Sequence, residues 1–192
     1  FNGVAKRFAE KYQFKSAPYP TSVEFVEDLR QVTPDSLKYL IKDMFETITL
    51  YDNKVEEASY RETSDGKYAV NIEALVRKYR TDKRGKKTYK GTAGDSLVYV
   101  QKKDSLLSLP LADYIEVGVF GKENEETGEN KVLSLEKVKI TDIQNNFEII
   151  VDEEPVEAGI DPYNKLIDRK SNDNRKKLDK KMIDWEEVTM KL

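Results

Sequence analysis

Val55-Glu56-Glu57-Ala58-Ser59-Tyr60, Ser64-Asp65-Gly66-Lys67 and Tyr68-Ala69-Val70-Asn71-Ile72-Glu73-Ala74-Leu75-Val76 form the stretch that decides the fold. Tyr68, Val70, Ile72, Ala74 and Val76 alternate about the polar residues Asn71 and Glu73, which predicts a strand with one wet face. Asp65-Gly66 supplies the positive φ angles of a tight hairpin turn between the two runs. Further alternation occurs at Ile115-Val117-Val119, Leu133-Leu135 and Phe147-Ile149-Val151. The polar segment Gly121 to Asn130, with Gly121 and Gly128, reads as a hairpin loop. Several short strands at such spacing predict an antiparallel β-sandwich.

Upstream of Tyr51-Asp52-Asn53 the period is helical. Val4, Phe8 and Tyr12 make one stripe of a short helix, and Ser16-Ala17-Pro18-Tyr19-Pro20 breaks it. Thr21-Ser22-Val23-Glu24 is a capping box, from which Phe25, Val26 and Leu29 face inward. Thr33-Pro34 reads as a second helix start. The spacing of Leu37, Leu40, Ile41, Met44, Phe45 and Ile48 then predicts a helix docked on a core. Residues 87–110 are irregular, with Leu97-Val98-Tyr99-Val100 as an edge-strand candidate. From Pro155 the pattern loosens into a polar C-terminal tail, with a turn or short helix from Asp161-Pro162-Tyr163. The predicted class is α+β, with about three helices, a sandwich and a tail, divided as 1–52, 53–154 and 155–192.

The chain of 192 residues contains no histidine and no cysteine. That excludes a Ser-His-Asp triad, a Cys-His pair, a His-Glu-x-x-His zinc site and any disulfide framework. Hydrophobic residues at 38% argue for a packed core, although 36% of the chain is charged. The formal charge of −3 gives no global case for nucleic acid. No apolar run reaches the roughly 18–20 residues of a membrane span. A first residue other than methionine points to a piece of something longer or to a processed product.

Carboxylate pairs at Glu56-Glu57, Glu125-Glu126, Asp152-Glu153-Glu154 and Glu186-Glu187 sit on strands or in loops, where solvation is the expected role. Asp152, Glu153, Glu154 and Asp161 lack the spacing and glycine of a calcium loop. Gly91-Thr92-Ala93-Gly94-Asp95 lacks the Lys-Ser ending of a phosphate loop and reads as a turn. The most uneven charge lies at Arg77, Lys78, Arg80, Lys83, Arg84, Lys86, Lys87 and Lys90, interrupted only by Asp82. Arg77, Lys78, Arg80, Lys83, Arg84, Lys86 and Lys87 are the candidate partner contacts. They would form a basic finger for anionic lipid headgroups or an acidic partner, or a solvated hairpin tip around Asp82-Lys83-Arg84-Gly85.

Specific strings add a resemblance. Phe8-Ala9-Glu10-Lys11-Tyr12-Gln13-Phe14, Pro18-Tyr19-Pro20-Thr21-Ser22, Leu29-Arg30 and Val32-Thr33-Pro34-Asp35-Ser36-Leu37 resemble the last helices of the aminopeptidase N-like zinc metallopeptidases. Phe45-Glu46-Thr47-Ile48-Thr49-Leu50-Tyr51-Asp52 and Asp113-Tyr114-Ile115-Glu116-Val117-Gly118-Val119-Phe120 add a narrower match. So does Ala158-Gly159-Ile160-Asp161-Pro162-Tyr163-Asn164-Lys165-Leu166-Ile167-Asp168-Arg169. These are similar to the C-terminal end of bacterial membrane proteins, best known in Bacteroidetes, that join an ABC-type transporter permease to such a peptidase.

The resemblance implies that 1–52 are terminal helices of the peptidase-like α domain. It implies that 53–154 are an immunoglobulin-like β-sandwich and 155–192 an extension. The implied role is a non-catalytic structural module bracing the catalytic domain, with no cofactor here and zinc in an upstream part. The implied partner is that upstream domain, with an anionic membrane surface and weak self-association as further expectations. No residue here matches the family's zinc ligands or catalytic glutamates, and 81–112 and 170–192 depart from its pattern. The alternative is a stand-alone sandwich that binds a ligand or partner through the basic hairpin.

Overall fold

The computed structural model describes residues 1–85, 87–90, 97–98, 108–125 and 127–180. They divide into two compact units: Phe1–Thr49 with Arg80–Lys86, and Leu50–Tyr79 with the residues from Lys87 onward.

The first unit carries helices α1 (Asn2–Tyr12) and α2 (Ser22–Val32). The capping box forms as the sequence predicts. The Val23 N–H donates to the Thr21 hydroxyl at 3.2 Å, and the Thr21 N–H donates to the Glu24 carboxylate at 2.8 Å. Two backbone donors that the helix leaves free are thereby satisfied. Val4, Leu29 and Ile41 form the buried core of this unit, with Phe25 and Val26 packed against them. The Phe8 and Phe25 rings meet edge to face at 5.2 Å.

Two helical expectations fail. Thr33 ends a helix instead of starting one: its hydroxyl donates to the Leu29 carbonyl at 2.7 Å, and a single 3-10 turn follows at Asp35–Leu37. The long helix expected over Leu37 to Ile48 is only α3 (Lys38–Ile41) plus a π-helical turn at Lys42–Glu46. Ile48 already opens the first strand. The β-branched run Thr47-Ile48-Thr49 is stiff about χ1 and suits a pleated strand. The Thr47 hydroxyl bonds the Lys42 carbonyl at 2.9 Å where the helix stops. Of the periodic residues Ile41 is buried and Leu40 half-buried, whereas Leu37, Met44, Phe45 and Ile48 are exposed. Ile41→Asp should therefore cost about 2–4 kcal/mol, because it places an unpaired charge in a very small core. The check is helical circular dichroism during urea unfolding, where an unchanged midpoint would contradict the burial of Ile41.

The strands follow in order: β1 (Ile48–Glu62), β2 (Tyr68–Thr81), β3 (Lys87–Lys90), β4 (Leu97–Val98), β5 (Asp113–Glu123), β6 (Asn130–Ile140), β7 (Gln144–Val151), β8 (Glu157–Ile160), β9 (Arg175–Lys177) and β10 (Asp179–Lys180). One sheet has the order β10-β1-β2-β3-β4, with β7 also paired to β2; the other runs β6-β5-β8-β9. Most pairings are antiparallel, and β10 joins β1 in parallel through Ser59 opposite Asp179. Val55, Val70, Ile72, Ala74 and Val76 of the first sheet share one core with Ile115, Val117, Val119 and Ile160 of the second. The chain is thus α+β, with two antiparallel-rich sheets on a common core. No described helix is long and apolar enough to cross a membrane.

The hairpin forms where expected, with a different turn. Thr63 and Lys67 close it through an N–H···O bond of 2.8 Å, and only Gly66 has a positive φ, of 77°. This is a three-residue loop with glycine at the left-handed position, not a two-residue turn with both angles positive. Gly121 belongs to β5 and not to the loop that follows it. The outward face of β2 is not wet throughout, since Ala69 and Leu75 are buried.

The expected polar tail is, over its described part, three strands of the two sheets: β8, β9 and β10. The segment between β8 and β9 is organised by Asp161, whose carboxylate accepts the N–H groups of Lys165 at 2.9 Å and Leu166 at 3.0 Å. Asp161 has a φ of 46°, so a turn forms and not a helix. Its N–H donates to the Glu116 carbonyl of β5 at 2.7 Å. Burial pushes the Asp161 carboxyl above its ordinary range, opposed by those two backbone donors. Hydrogen bonds to backbone partners far away in the chain carry this segment, which is why its apolar pattern looked loose.

Candidate functional site

The basic run begins inside a strand. β2 extends to Thr81, so Arg77, Lys78 and Arg80 lie on it and not on the hairpin tip. Val70, Ile72, Ala74 and Val76 face the shared core, and Lys78 continues the same parity. On β5, Asp113 holds the corresponding parity ahead of Ile115, Val117 and Val119. The two meet inside the sheet unit. Lys78 Nζ lies 3.2 Å from Asp113 Oδ1 and 3.0 Å from Oδ2, with the side chains only 3% and 5% exposed. The Tyr51 hydroxyl donates to Asp113 Oδ1 at 3.1 Å, and its ring centroid is 5.9 Å from Lys78 Nζ. The Lys78 backbone is fixed as well: its N–H donates to Ser108 Oγ at 3.0 Å, and its carbonyl accepts the Leu109 N–H at 2.7 Å.

The seven residues expected to contact a partner therefore separate. Arg77 pairs with Asp52 at 3.3 Å, and Arg80 with Asp43 at 2.7 Å, all four partly or largely buried. Lys78 is enclosed. For these three a role as free surface cations does not hold, because each is neutralised by an aspartate distant in the chain. Lys83 and Arg84 are exposed on the tip. That turn is closed by the Arg84 N–H on Asp82 Oδ1 at 2.8 Å and the Gly85 N–H on the Asp82 carbonyl at 2.9 Å. Lys87 is exposed and stands 4.0 Å from the centroid of the Tyr79 ring. Lys86 lies outside the described residues.

Asp113 and Tyr51 were not singled out from sequence. The parity of β2 and β5 was the available signal: a lysine and an aspartate each continue an alternation of core residues.

The described carboxylate pairs are dispersed. Glu56 faces Lys54 at 3.6 Å, Asp152 faces Lys67 at 2.9 Å, Glu153 faces Lys131 at 2.6 Å, and Glu154 faces Lys122 at 3.5 Å. Glu126, Glu186, Glu187 and the Gly91–Asp95 turn lie outside the described residues. Among the described residues no group of three or more acidic side chains is placed to hold a metal ion.

Asp173 is a separate, partly buried carboxylate. Burial pushes its pKa up from the ordinary 3.8, and the nearby charges of Asp168 and Asp52 push the same way. A raised folded-state pKa means that the folded chain holds the extra proton between the two values. Stability therefore falls as pH rises through that window, and at neutral pH the charge is a net cost. Asp173→Asn should raise the melting temperature at neutral pH. The gain should vanish as pH falls towards 3.8, a trend that thermal scans across pH would show.

Comparison with protein-family models, curated proteins and solved structures finds no match for the chain.

Proposed function

We propose that this chain is a non-catalytic structural module that braces the catalytic domain of a membrane-associated, aminopeptidase N-like zinc metallopeptidase of the group fused to an ABC-type permease. The two-sheet body is then its immunoglobulin-like sandwich, and the helices are the closing layer of the peptidase-like domain. One observation carries the reading. The helical unit buries Val4, Leu29 and Ile41, yet leaves Phe1, Phe14, Tyr19, Val23 and Met44 largely exposed. Short helices gain most of their stability from packing on other elements. A helical layer with so much apolar side chain in water is suited to covering by a larger body.

The test has two arms. Purified chain supplied with zinc should not hydrolyse aminoacyl 4-nitroanilides, and zinc-dependent turnover would overturn the non-catalytic assignment. Light scattering should show mass rising with concentration, and Phe14→Ser with Met44→Ser should suppress the rise. A strict monomer that fails to bind a hydrophobic dye would overturn the docking role.

The exposed Lys83 and Arg84 support a second reading, a contact with an anionic surface. Binding to phosphatidylserine vesicles that disappears in Lys83→Ser with Arg84→Ser would favour it, and absent binding would remove it.

A further inference from the structure

We propose that Lys78 and Asp113 condense into an intramolecular isopeptide bond, a covalent tie between the two sheets. The ammonium nitrogen touches both oxygens of one carboxyl group, at 3.0 and 3.2 Å, so the carbon between those oxygens is its nearest electrophile. Holding the two groups in strands of one packed core replaces an encounter in solution with a fixed approach. Both side chains are enclosed, which keeps out the water that would hydrolyse an amide or favour the free ions. The ion pair carries a desolvation cost on each charge, and condensation removes both charges at once.

The Tyr51 hydroxyl distinguishes the two oxygens. It donates to Oδ1, which marks Oδ1 as the oxygen that stays and Oδ2 as the one that leaves. A proton passes from Nζ to Oδ2. The freed Nζ lone pair attacks Cγ, forming the Nζ–Cγ bond. The Cγ–Oδ2 bond breaks, and the departing oxygen takes a second proton from Nζ and leaves as water. Oδ1 becomes the amide carbonyl and still accepts from Tyr51. Ammonium and carboxylate become amide and water, with no change in oxidation state and no external reactant. Tyr51 is here a positioning residue.

Intact mass of the full chain after folding tests this directly. The expected mass is one water below that of the sequence, and digestion should give a branched peptide containing Lys78 and Asp113. A mass equal to the sequence after prolonged incubation of the folded protein overturns the proposal. Asp65-Gly66 could also lose one water by cyclising, so the branched peptide and the Asp113→Ala variant provide the control. The deficit should disappear in Asp113→Ala, and its persistence there would overturn the assignment. Tyr51→Phe should slow bond formation at least several-fold, and an unchanged rate would overturn the part given to Tyr51.

Discussion

Lys78→Met is expected to destabilise the chain by about 3–5 kcal/mol, the cost of leaving a buried charge without its partner. Methionine keeps much of the lysine stem and its packing but removes the nitrogen that lies 3.0 Å from Asp113 Oδ2. Asp113 would then stand in a dry interior with the Tyr51 hydroxyl as its remaining donor among the bonds described above. A single neutral hydrogen bond does not replace an ion pair in such a place. The double variant Lys78→Met with Asp113→Leu should recover most of the loss, because no charge remains to desolvate. Urea unfolding checks both against the parent chain in which Lys78 and Asp113 are still an unlinked ion pair, with a lower midpoint at unchanged slope for the single variant and a midpoint close to that of the unlinked parent for the double. If the single variant were as stable as the parent, the enclosure of this pair would be refuted.

Phe120→Ala is expected to cost about 3–5 kcal/mol as well, through lost burial and the cavity left behind. Phe120 is 1% exposed, yet it does not belong to the shared core between the sheets. The core side of β5 is taken by Ile115, Val117 and Val119, and Phe120 points the other way. There the Arg175 guanidinium lies 4.3 Å from its ring centroid, and the Tyr163 ring meets it edge-on at 6.2 Å. Gly118 leaves the room this requires, since a Cβ at 118 would come within 2.8 Å of the Phe120 ring. The ring thus anchors the segment from Asp161 to Arg175 on the back of the second sheet. Limited proteolysis should therefore cut within that segment faster in Phe120→Ala than in the parent. Equal cutting with an unchanged midpoint would show that the ring is not the anchor.

Particular residues show what was legible. Thr21 and Glu24 form their capping box because both partners lie within one turn, where spacing alone sets geometry. Val70, Ile72, Ala74 and Val76 reach the core because strand parity is a local property. The helix predicted through Ile48 gives way to a strand because its 3.6-residue spacing competes with strand pairing, and the β-branched run at Thr47-Ile48-Thr49 favours the sheet. The region after Pro155 departs from the predicted tail for a related reason. Its strands are as short as Asp179–Lys180, too short to show a period, and they hold through backbone bonds to distant strands.

The sequence by itself determined that a helical segment precedes a strand-rich one, the hairpin at Gly66, the capped helix at Thr21 and the exclusion of histidine and cysteine chemistry. Strand parity also puts Lys78 and Asp113 at core-facing positions. Only the tertiary structure decided that they face each other, that Arg77 and Arg80 are likewise neutralised, and that the basic run is divided between the β2 strand and an exposed tip at Lys83 and Arg84. The physical reason is separation. Periodicity reports which side of an element a residue occupies. The worth of a charge depends instead on the partner brought to it, and for Lys78 that partner sits on another strand in the opposite sheet.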